Sequence, residues 1–449
     1  MLNLILACTK NFGIGLKNNL PWKCKSELAL FKNYTMNSIL IMGRKTVESL
    51  PTLIDREIIC ITSKTQLDTK HPNSITLVRT IDEALAISLN SDKKVFVAGG
   101  ASIYSQFLTE YSTKIKNIFI SVMNSDYECD SYISRHLFDN WVISHSIPYE
   151  EFTNYTLTYK KNNEQNYLDL LKSVVETAKP RIGRNGTVYS SFVEHLKFDL
   201  REGFPLFTTR KMFFRGIVEE LLFFIRGETD SKILENKNIN IWKGNTSSQF
   251  ISDNGLSYPE GLMGPMYGYQ WRNFNAQYDP QTGKPLGTGV DQLFNVIDAL
   301  KNNPESRRIL LTDFNPAQAN DGVLYPCHSI IMQFYVEDGF LDCFCYNRSS
   351  DLFHGLAFNI PSTALFMTLL GKITNLKCRY LNLSLGDAHI YESHVSCVKK
   401  QLMRIPFHSP KLCINKQLET IRDIEKLEYK DFVLSEYTSH PGIKVDMVV

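Results

Sequence analysis

The dipeptide Asp338-Gly339 stands between two apolar runs of alternating pattern, Ser329–Val336 and Phe340–Tyr346. Asp-Gly readily takes the left-handed backbone that a tight two-residue hairpin turn requires, so the stretch predicts a pair of antiparallel strands. Reflecting the chain about this turn sets Cys327 opposite position 350, with Arg348 within about two positions of it. An isolated cysteine is ordinarily a buried small hydrophobe. A neighbouring guanidinium favours the thiolate, the reactive form, and makes Cys327 a candidate nucleophile. The blander alternative is that Arg348 is a strand-end charge facing water.

At 449 residues the chain exceeds one ordinary core and predicts two or three domains. The polar run Lys160-Lys161-Asn162-Asn163-Glu164-Gln165-Asn166 is the best linker candidate. The expected division is 1–160, a short linker at 161–167, and 168–449. Strand patterns precede the linker at Asn3–Thr9, Ser38–Met42, Glu57–Thr62, Ser74–Val78, Val95–Ala98, Lys116–Asn124 and Tyr155–Lys160. Helical patterns at Ser26–Tyr34 and Ala101–Phe107 lie among them, which predicts an α/β domain with a mixed, mainly parallel sheet flanked by helices. After the linker, Tyr167–Lys179 and Gly216–Arg226 read as helices, and with the hairpin they point to a large α+β domain.

Lysine plus arginine total 49 against 47 acids, so bulk attraction to nucleic acid or membrane is not indicated. No apolar run reaches the roughly 18–20 residues of a membrane span. The apolar start lacks a basic leader and cleavage site, and reads as a buried strand. Ten cysteines without a C-x-x-C pair suit a reducing, cytoplasmic setting. No metal site is expected.

Four features converge in the first domain. Asn18-Asn19-Leu20-Pro21-Trp22 precedes a helix, and Glu27 shares one face of that helix with Phe31. A carboxylate on an apolar face is normally avoided, although an acid in the first turn also suits the helix dipole. The strand Ser38–Met42 runs into Gly43-Arg44-Lys45-Thr46, where free N–H groups and two cations suit a phosphate. A second glycine turn, Gly99-Gly100, opens into Ala101-Ser102-Ile103-Tyr104. Around the candidate nucleophile, Arg307-Arg308 offers further cations, and Asn359 is an amide inside an apolar run that must find a hydrogen-bond partner. His389 and Tyr391 alternate at strand spacing, so both can face one ligand. Of the adjacent acids Glu219 and Glu220, one is expected to face inward, tolerable only with a partner or a catalytic role.

The ordered set in the first domain resembles dihydrofolate reductase over nearly all of residues 1–160. The resemblance implies hydride transfer from NADPH to C6 of dihydrofolate, with Glu27 as the single active-site acid holding the pterin edge. Phe31 would pack on the pterin and Arg56 would hold the folate glutamate tail. NADPH contacts are implied for Ala7, Ile14, Gly15, Arg44, Lys45, Thr46, Thr62, Ser63, Gly99, Gly100, Ala101, Ser102, Ile103 and Tyr104. Ser121 stands where the family's supporting threonine is usual, and Cys129 where bacterial members often have glycine.

Residues 168–449 resemble thymidylate synthase through Phe204-Pro205-Leu206-Phe207-Thr208-Thr209-Arg210-Lys211, Gly264-Pro265-Met266-Tyr267-Gly268-Tyr269-Gln270-Trp271-Arg272 and His440-Pro441-Gly442-Ile443-Lys444. The resemblance makes Cys327 the thiolate that attacks C6 of dUMP, after which C5 takes a one-carbon unit from 5,10-methylenetetrahydrofolate and dihydrofolate leaves. Arg348, Arg184, Arg307 and Arg308 would clamp the phosphate, the last two from the other subunit of a homodimer. Ser349, Ser350 and Asp351 would line the nucleotide, Asn359 would read the uracil amide edge, and His389 and Tyr391 would hold the ribose. Glu220 and Tyr267 would organise water and proton transfers, Asp351 would also meet the pterin, and the terminal residues to Val449 would close over the ligands. Asn347, His354 and Ala357 depart from the family pattern, and Arg181 is the alternative to Arg184. Two alternatives are disfavoured on sequence grounds: a catalytically impaired nucleotide- or RNA-binding homologue, because Glu27, Cys327, Arg348 and Asn359 are all present, and a pyrimidine hydroxymethylase, because Asn359 would select uracil over cytosine.

Overall fold

The computed structural model describes residues 2–69, 75–160, 162–183 and 185–445. Contacts divide the chain into one unit of residues 1–162 with 405–408, and a second of residues 163–404 with 409–449.

In the first unit the strands are β1 (Leu2–Cys8), β2 (Ser38–Gly43), β3 (Arg56–Ile61), β4 (Ile75–Val78), β5 (Val95–Val97), β6 (Asn117–Met123), β7 (Trp141–Pro148) and β8 (Phe152–Tyr159). They form one sheet in the order β4-β3-β2-β5-β1-β6-β8-β7. The pairs from β4 through to β6 are parallel, and β8 runs antiparallel to both β6 and β7. The buried central strands are continuous apolar runs, as a parallel sheet covered on both faces requires. Helices α1 (Lys25–Thr35), α2 (Arg44–Ser49) and α3 (Ala101–Glu110) place the candidate site residues at strand ends. Strand β7 escaped the sequence reading because its second half is an exposed edge, Ser144–Pro148, with little apolar alternation. Residues 405–408 join this unit through Ile405 and Phe407 in its core and the Pro406 carbonyl, which accepts from Ile143 N at 3.0 Å.

The boundary between the units falls inside the expected linker at 161–167, but its residues from 163 onward are helical. Helix α4 spans Asn163–Thr177, so most of the polar run is its first turns. Glu164 is 5% exposed and accepts hydrogen bonds from Thr208 N at 2.7 Å and Thr209 N at 2.9 Å. The run reads as solvated because its partners lie some forty residues away, and buried polar groups with partners are tolerated.

In the second unit, β9 (Pro180–Gly183), β10 (Gly186–Asp199), β11 (Leu310–Thr312), β12 (Ile331–Glu337), β13 (Phe340–Asp351) and β14 (Lys377–Tyr391) make a sheet in the order β9-β10-β14-β13-β12-β11. All its pairs are antiparallel except β13–β14. Helices α5 (Phe214–Ile225), α6 (Gly268–Asn273) and α7 (Gly355–Thr374) belong to the same unit. Helix α7 is long and apolar enough to cross a membrane by length and composition. Here 72% of its apolar window is buried, and it is a core helix. One face of the sheet carries exposed Leu310, Ile331, Tyr335 and Phe344, which the strand registers set on the same side. The predicted hairpin is present: Ile331 pairs with Tyr346 and Glu337 with Phe340, the register that reflection about the turn requires.

Asp338 and Gly339 have φ of 50° and 76°, the two left-handed residues of a type I′ turn. A valine at Gly339 is strained by about 1–2 kcal/mol in that conformation. Gly339→Val should therefore lower the urea midpoint of the second unit, followed by tryptophan fluorescence; an unchanged midpoint would show that the turn does not hold the register.

Candidate active sites

In the second unit, Tyr325-Pro326-Cys327-His328 leads into β12, and Ser349 N on β13 donates to the Cys327 carbonyl at 3.2 Å. Arg348 Nε donates to the Pro326 carbonyl at 3.0 Å, and its guanidinium lies 5.2 Å from the centre of the Tyr325 ring. The hairpin thus carries cysteine and arginine together, as its register predicted. Tyr267, buried at the start of α6, places its hydroxyl 3.5 Å from Cys327 Sγ. Gly268 behind it has no room for a side chain, since a Cβ would sit 2.2 Å from the Phe224 carbonyl. That close approach packs α6 on α5. His328 stacks on Tyr267 at 4.4 Å, and burial pushes its imidazole down to about 4, so it is neutral at physiological pH.

Burial pushes the Cys327 thiol up; the Tyr267 hydroxyl lowers it, Asp313 raises it further, and Arg348 lowers it. Arg348 favours the thiolate as expected, but desolvation is the larger influence in the ligand-free protein. Asp313, after β11, is 1% exposed, neither carboxyl oxygen is hydrogen-bonded among the described residues, and burial raises it well above the carboxylate range. The sequence reading missed Asp313. The argument applied to Glu219 and Glu220, an acid adjoining an apolar run, would have found it.

Glu219 is buried and pairs with Lys237 at 2.6 Å. Glu220 is half-buried, accepts from Trp242 Nε1 at 2.8 Å, and is lifted by burial to about 7. A carboxyl so placed exchanges protons readily at neutral pH. Asn359 lies in the second turn of α7 and lines a small cavity with His328, Ser329 and Trp271. Its amide has no partner among the described residues, which leaves it free to read a ligand. His389 and Tyr391 on β14 meet edge to face at 5.3 Å, and His389 Nδ1 lies 2.9 Å from Asp387 Oδ1. The parallel register sets Asp351 beside His389.

Asp351 Oδ1 accepts from Phe353 N and His354 N, each at 3.0 Å, so one oxygen turns the chain into α7. Ser349 is half-buried; Ser350 is buried, its hydroxyl unpartnered. Arg307 and Arg308 are exposed before β11, with no side-chain partner among the described residues. Arg181 is exposed and pairs with Asp387 at 3.2 Å, whereas Arg184 and Val449 lie outside the described residues. Of the departures, Asn347 is buried and its Oδ1 accepts from Ser329 N at 2.8 Å, supporting the segment after the nucleophile. His354 sits at the start of α7 and Ala357 is buried in its first turn. A cavity of about 410 Å³ lined by Arg210, Lys211, His354, Phe358, Ile443 and Lys444 was also missed; its cations are dispersed in sequence.

In the first unit, Glu27 is 5% exposed on α1; burial raises its carboxyl and a hydrogen bond from Ser121 lowers it. Phe31, one turn on, is half-buried. Arg56 at the head of β3 donates to Met36 Sδ at 3.0 Å, while its buried Nε has no partner. Gly43 and Gly100 start α2 and α3 without side-chain caps, and Gly43 N donates to the Gly99 carbonyl at 2.7 Å. A Cβ on Gly100 would stand 3.0 Å from Thr46 Oγ1, so glycine keeps a cradle open where backbone N–H groups are available to an anion. Lys45, Ser63 and Ser102 are exposed, Ala7, Ile14, Gly15, Thr62 and Ala101 half-buried, and Arg44 pairs with Glu48 at 2.5 Å. Ile103 and Tyr104 instead point into the core, where the Tyr104 hydroxyl donates to the Ile5 carbonyl at 2.7 Å.

Residues 165–449 match the thymidylate synthase family and residues 1–164 the dihydrofolate reductase family. A bifunctional dihydrofolate reductase-thymidylate synthase from Paramecium tetraurelia is 36% identical over 100% of this chain and 98% of its own length. The chain belongs to the bifunctional dihydrofolate reductase–thymidylate synthase family. The corresponding Zea mays protein is 33% identical over 99% of this chain and 96% of its own length. A thymidylate synthase of Encephalitozoon cuniculi is 43% identical, covering 64% of this chain and 98% of itself. The α/β and α+β units are those of the two families, and the chain is an enzyme of thymidylate synthesis. Its synthase half uses methylenetetrahydrofolate and its reductase half NADPH; the impaired-homologue and hydroxymethylase readings are not favoured.

Removing the positive charge of Arg348 should raise the Cys327 thiol further. Arg348→Met is therefore expected to slow iodoacetamide labelling of Cys327 several-fold near pH 8 in the ligand-free protein, followed by peptide mass spectrometry. Equal rates would mean that the guanidinium does not act on the thiol.

Proposed function

We propose that Cys327 is the nucleophile for dUMP and Glu27 the acid for dihydrofolate, so that the two halves carry out successive steps on one folate. The observation that carries the synthase assignment is Cys327 Sγ beside the Tyr267 hydroxyl, on a hairpin that also presents Arg348. The thiolate adds to C6 of dUMP, which leaves C5 electron-rich to take the methylene carbon. The C5 proton then departs through water organised by Glu220 and Tyr267. Tetrahydrofolate leaves with transfer of its hydride, producing dihydrofolate, and expulsion of Cys327 releases dTMP. Arg348 anchors the phosphate with Arg184, Ser349 and Ser350; Asn359 reads the uracil, and His389 and Tyr391 the ribose. The cavity of Arg210, Lys211, His354 and Lys444 takes the anionic folate, with Asp351 on its pterin and Val449 closing over it.

In the reductase half, Gly99, Gly100, Ala101 and Ser102, with Arg44, Lys45 and Thr46, hold NADPH; Thr62, Ser63, Ala7, Ile14 and Gly15 complete its site. NADPH supplies the hydride when bound. Glu27 fixes the pterin edge and favours the tautomer that accepts a proton at N5, Phe31 packs on the ring, and Arg56 receives the glutamate tail. The unpartnered Arg56 Nε supports that last role.

The assembly inferred is a homodimer in which a second copy covers the apolar sheet face of Leu310, Ile331, Tyr335 and Phe344. Arg307 and Arg308, exposed and without a side-chain partner among the described residues, reach the partner's nucleotide phosphate. The ten free thiols suit a reducing, cytoplasmic setting.

Cys327→Ser should abolish dTMP formation and leave NADPH oxidation by dihydrofolate near normal, and Glu27→Ala should do the reverse. Loss of both activities from either folded variant would refute separate sites. Sedimentation should show a dimer. Dissociating and mixing inactive Cys327→Ser with Arg307→Ala/Arg308→Ala should restore about a quarter of wild-type synthase activity, because half the dimers then hold one complete site. No recovery, with exchange verified, would place those arginines in their own subunit's site.

A further inference from the structure

Three polar side chains stand in line behind Glu27. Ser121 on β6 is the side chain that lowers its carboxyl against burial, which places the hydroxyl as the donor to Glu27. Asn154 on β8 lies directly across the antiparallel pair from Ser121 and donates Nδ2 to Ser121 Oγ at 3.2 Å. Tyr34, two turns along α1 from Glu27, donates its hydroxyl to Asn154 Oδ1 at 3.3 Å. Ser121 is 3% and Asn154 4% exposed, on strands whose buried positions are otherwise largely apolar. Tyr34 packs on Phe119 with ring centres 4.4 Å apart, which fixes the hydroxyl toward Asn154.

The proton order in this chain is determined by counting donors. Ser121 has one hydroxyl proton, and a carboxylate can only accept. With that proton given to Glu27, Ser121 Oγ must accept from Asn154, so the amide presents Nδ2 to Ser121 and Oδ1 to Tyr34. Turning the amide over would set two acceptors against each other or force Ser121 to turn its proton away from Glu27. Every bond therefore points toward the carboxylate. Such aligned bonds polarise and strengthen one another in a low-dielectric interior.

We propose that Asn154 and Tyr34 are positioning residues of the reductase: acting through Ser121, they order the hydrogen bond on Glu27 and favour its carboxylate form. This rests on the reading of Glu27 as the reductase's acid. Burial opposes the carboxylate, and the relay is the opposing influence that the fold supplies. A titratable group that feels Glu27 is Tyr104 of α3. Its hydroxyl is committed to the Ile5 carbonyl and burial keeps it neutral, so it does not titrate near physiological pH.

The sign follows. A hydrogen bond to the ionised form lowers the carboxyl's pKa, so removing any donor raises it. The pH profile of hydride transfer, from single-turnover decay of NADPH fluorescence in the full-length protein, should then move to higher pH. The order expected is Ser121→Ala, on the order of one pH unit, then Asn154→Ala, then Tyr34→Phe. Ser121→Ala/Asn154→Ala should shift no further than Ser121→Ala alone, because Asn154 acts through Ser121. Ser121→Thr, which keeps the hydroxyl, should leave the profile in place. A parallel infrared titration of the Glu27 carboxyl, identified by difference from Glu27→Gln, reads the same shifts without turnover. Additive shifts in the double variant, or a folded Asn154→Ala or Tyr34→Phe protein whose carboxyl titrates as wild type, would overturn the relay. Full hydride transfer in Glu27→Gln would instead overturn the assignment of Glu27 and leave the infrared test of the relay standing.

Discussion

The synthase site depends on the register of one hairpin. A two-residue turn with both residues left-handed sets β12 against β13 without slippage. A one-residue slip would turn every side chain of a strand to the other face. The register brings Arg348 to the Pro326 carbonyl and holds Cys327 by the Ser349 amide, while Tyr267 arrives from α6 to complete the trio. Asn347, one residue before Arg348, supports Ser329 from the same strand, so backbone, thiol and cation are connected through one element pair.

Burial competes with hydrogen bonds at the candidate sites, and at Cys327 also with charge. It raises the Cys327 thiol against Tyr267 and Arg348, lifts Glu220 to about 7, and raises Glu27 against Ser121. A carboxyl brought near 7 moves protons at physiological pH, which an exposed glutamate does poorly. The same desolvation keeps His328 neutral beside Tyr267. Each site therefore holds its ionisable groups nearer to neutral pH, or further from their charged form, than water would. Bound ligands that complete the electrostatic environment would shift that balance again.

The two halves fit as chemistry. Transfer of the one-carbon unit with its hydride oxidises the folate, and the reductase restores it. The C-terminal sheet leaves Leu310, Ile331, Tyr335 and Phe344 exposed on one face, and under the proposed dimer a second copy would cover them.

What was legible in the chain was whatever local chemistry dictates. Asp338-Gly339 determined a turn, the turn determined a register, and the register put Arg348 beside Cys327; short apolar runs, continuous or alternating, likewise located most strands of the first unit. What depended on distant partners was not legible. The polar run reads as a linker at 161–167, yet Glu164 within it is buried because Thr208 and Thr209 meet it from elsewhere in the chain. Strand β7 showed no alternation because half of it is an exposed edge. Asp313 is an ordinary acid in sequence and becomes an orphaned buried carboxyl only when β11 packs. Asn154 and Tyr34 lie 120 residues apart and join Glu27 only through strand pairing. The sequence by itself determined the reactive groups and their local pairing, because turns and periodicity act over a few residues. Tertiary structure alone decided which of those groups are desolvated and what faces them, because burial and long-range hydrogen bonds are properties of the packed chain.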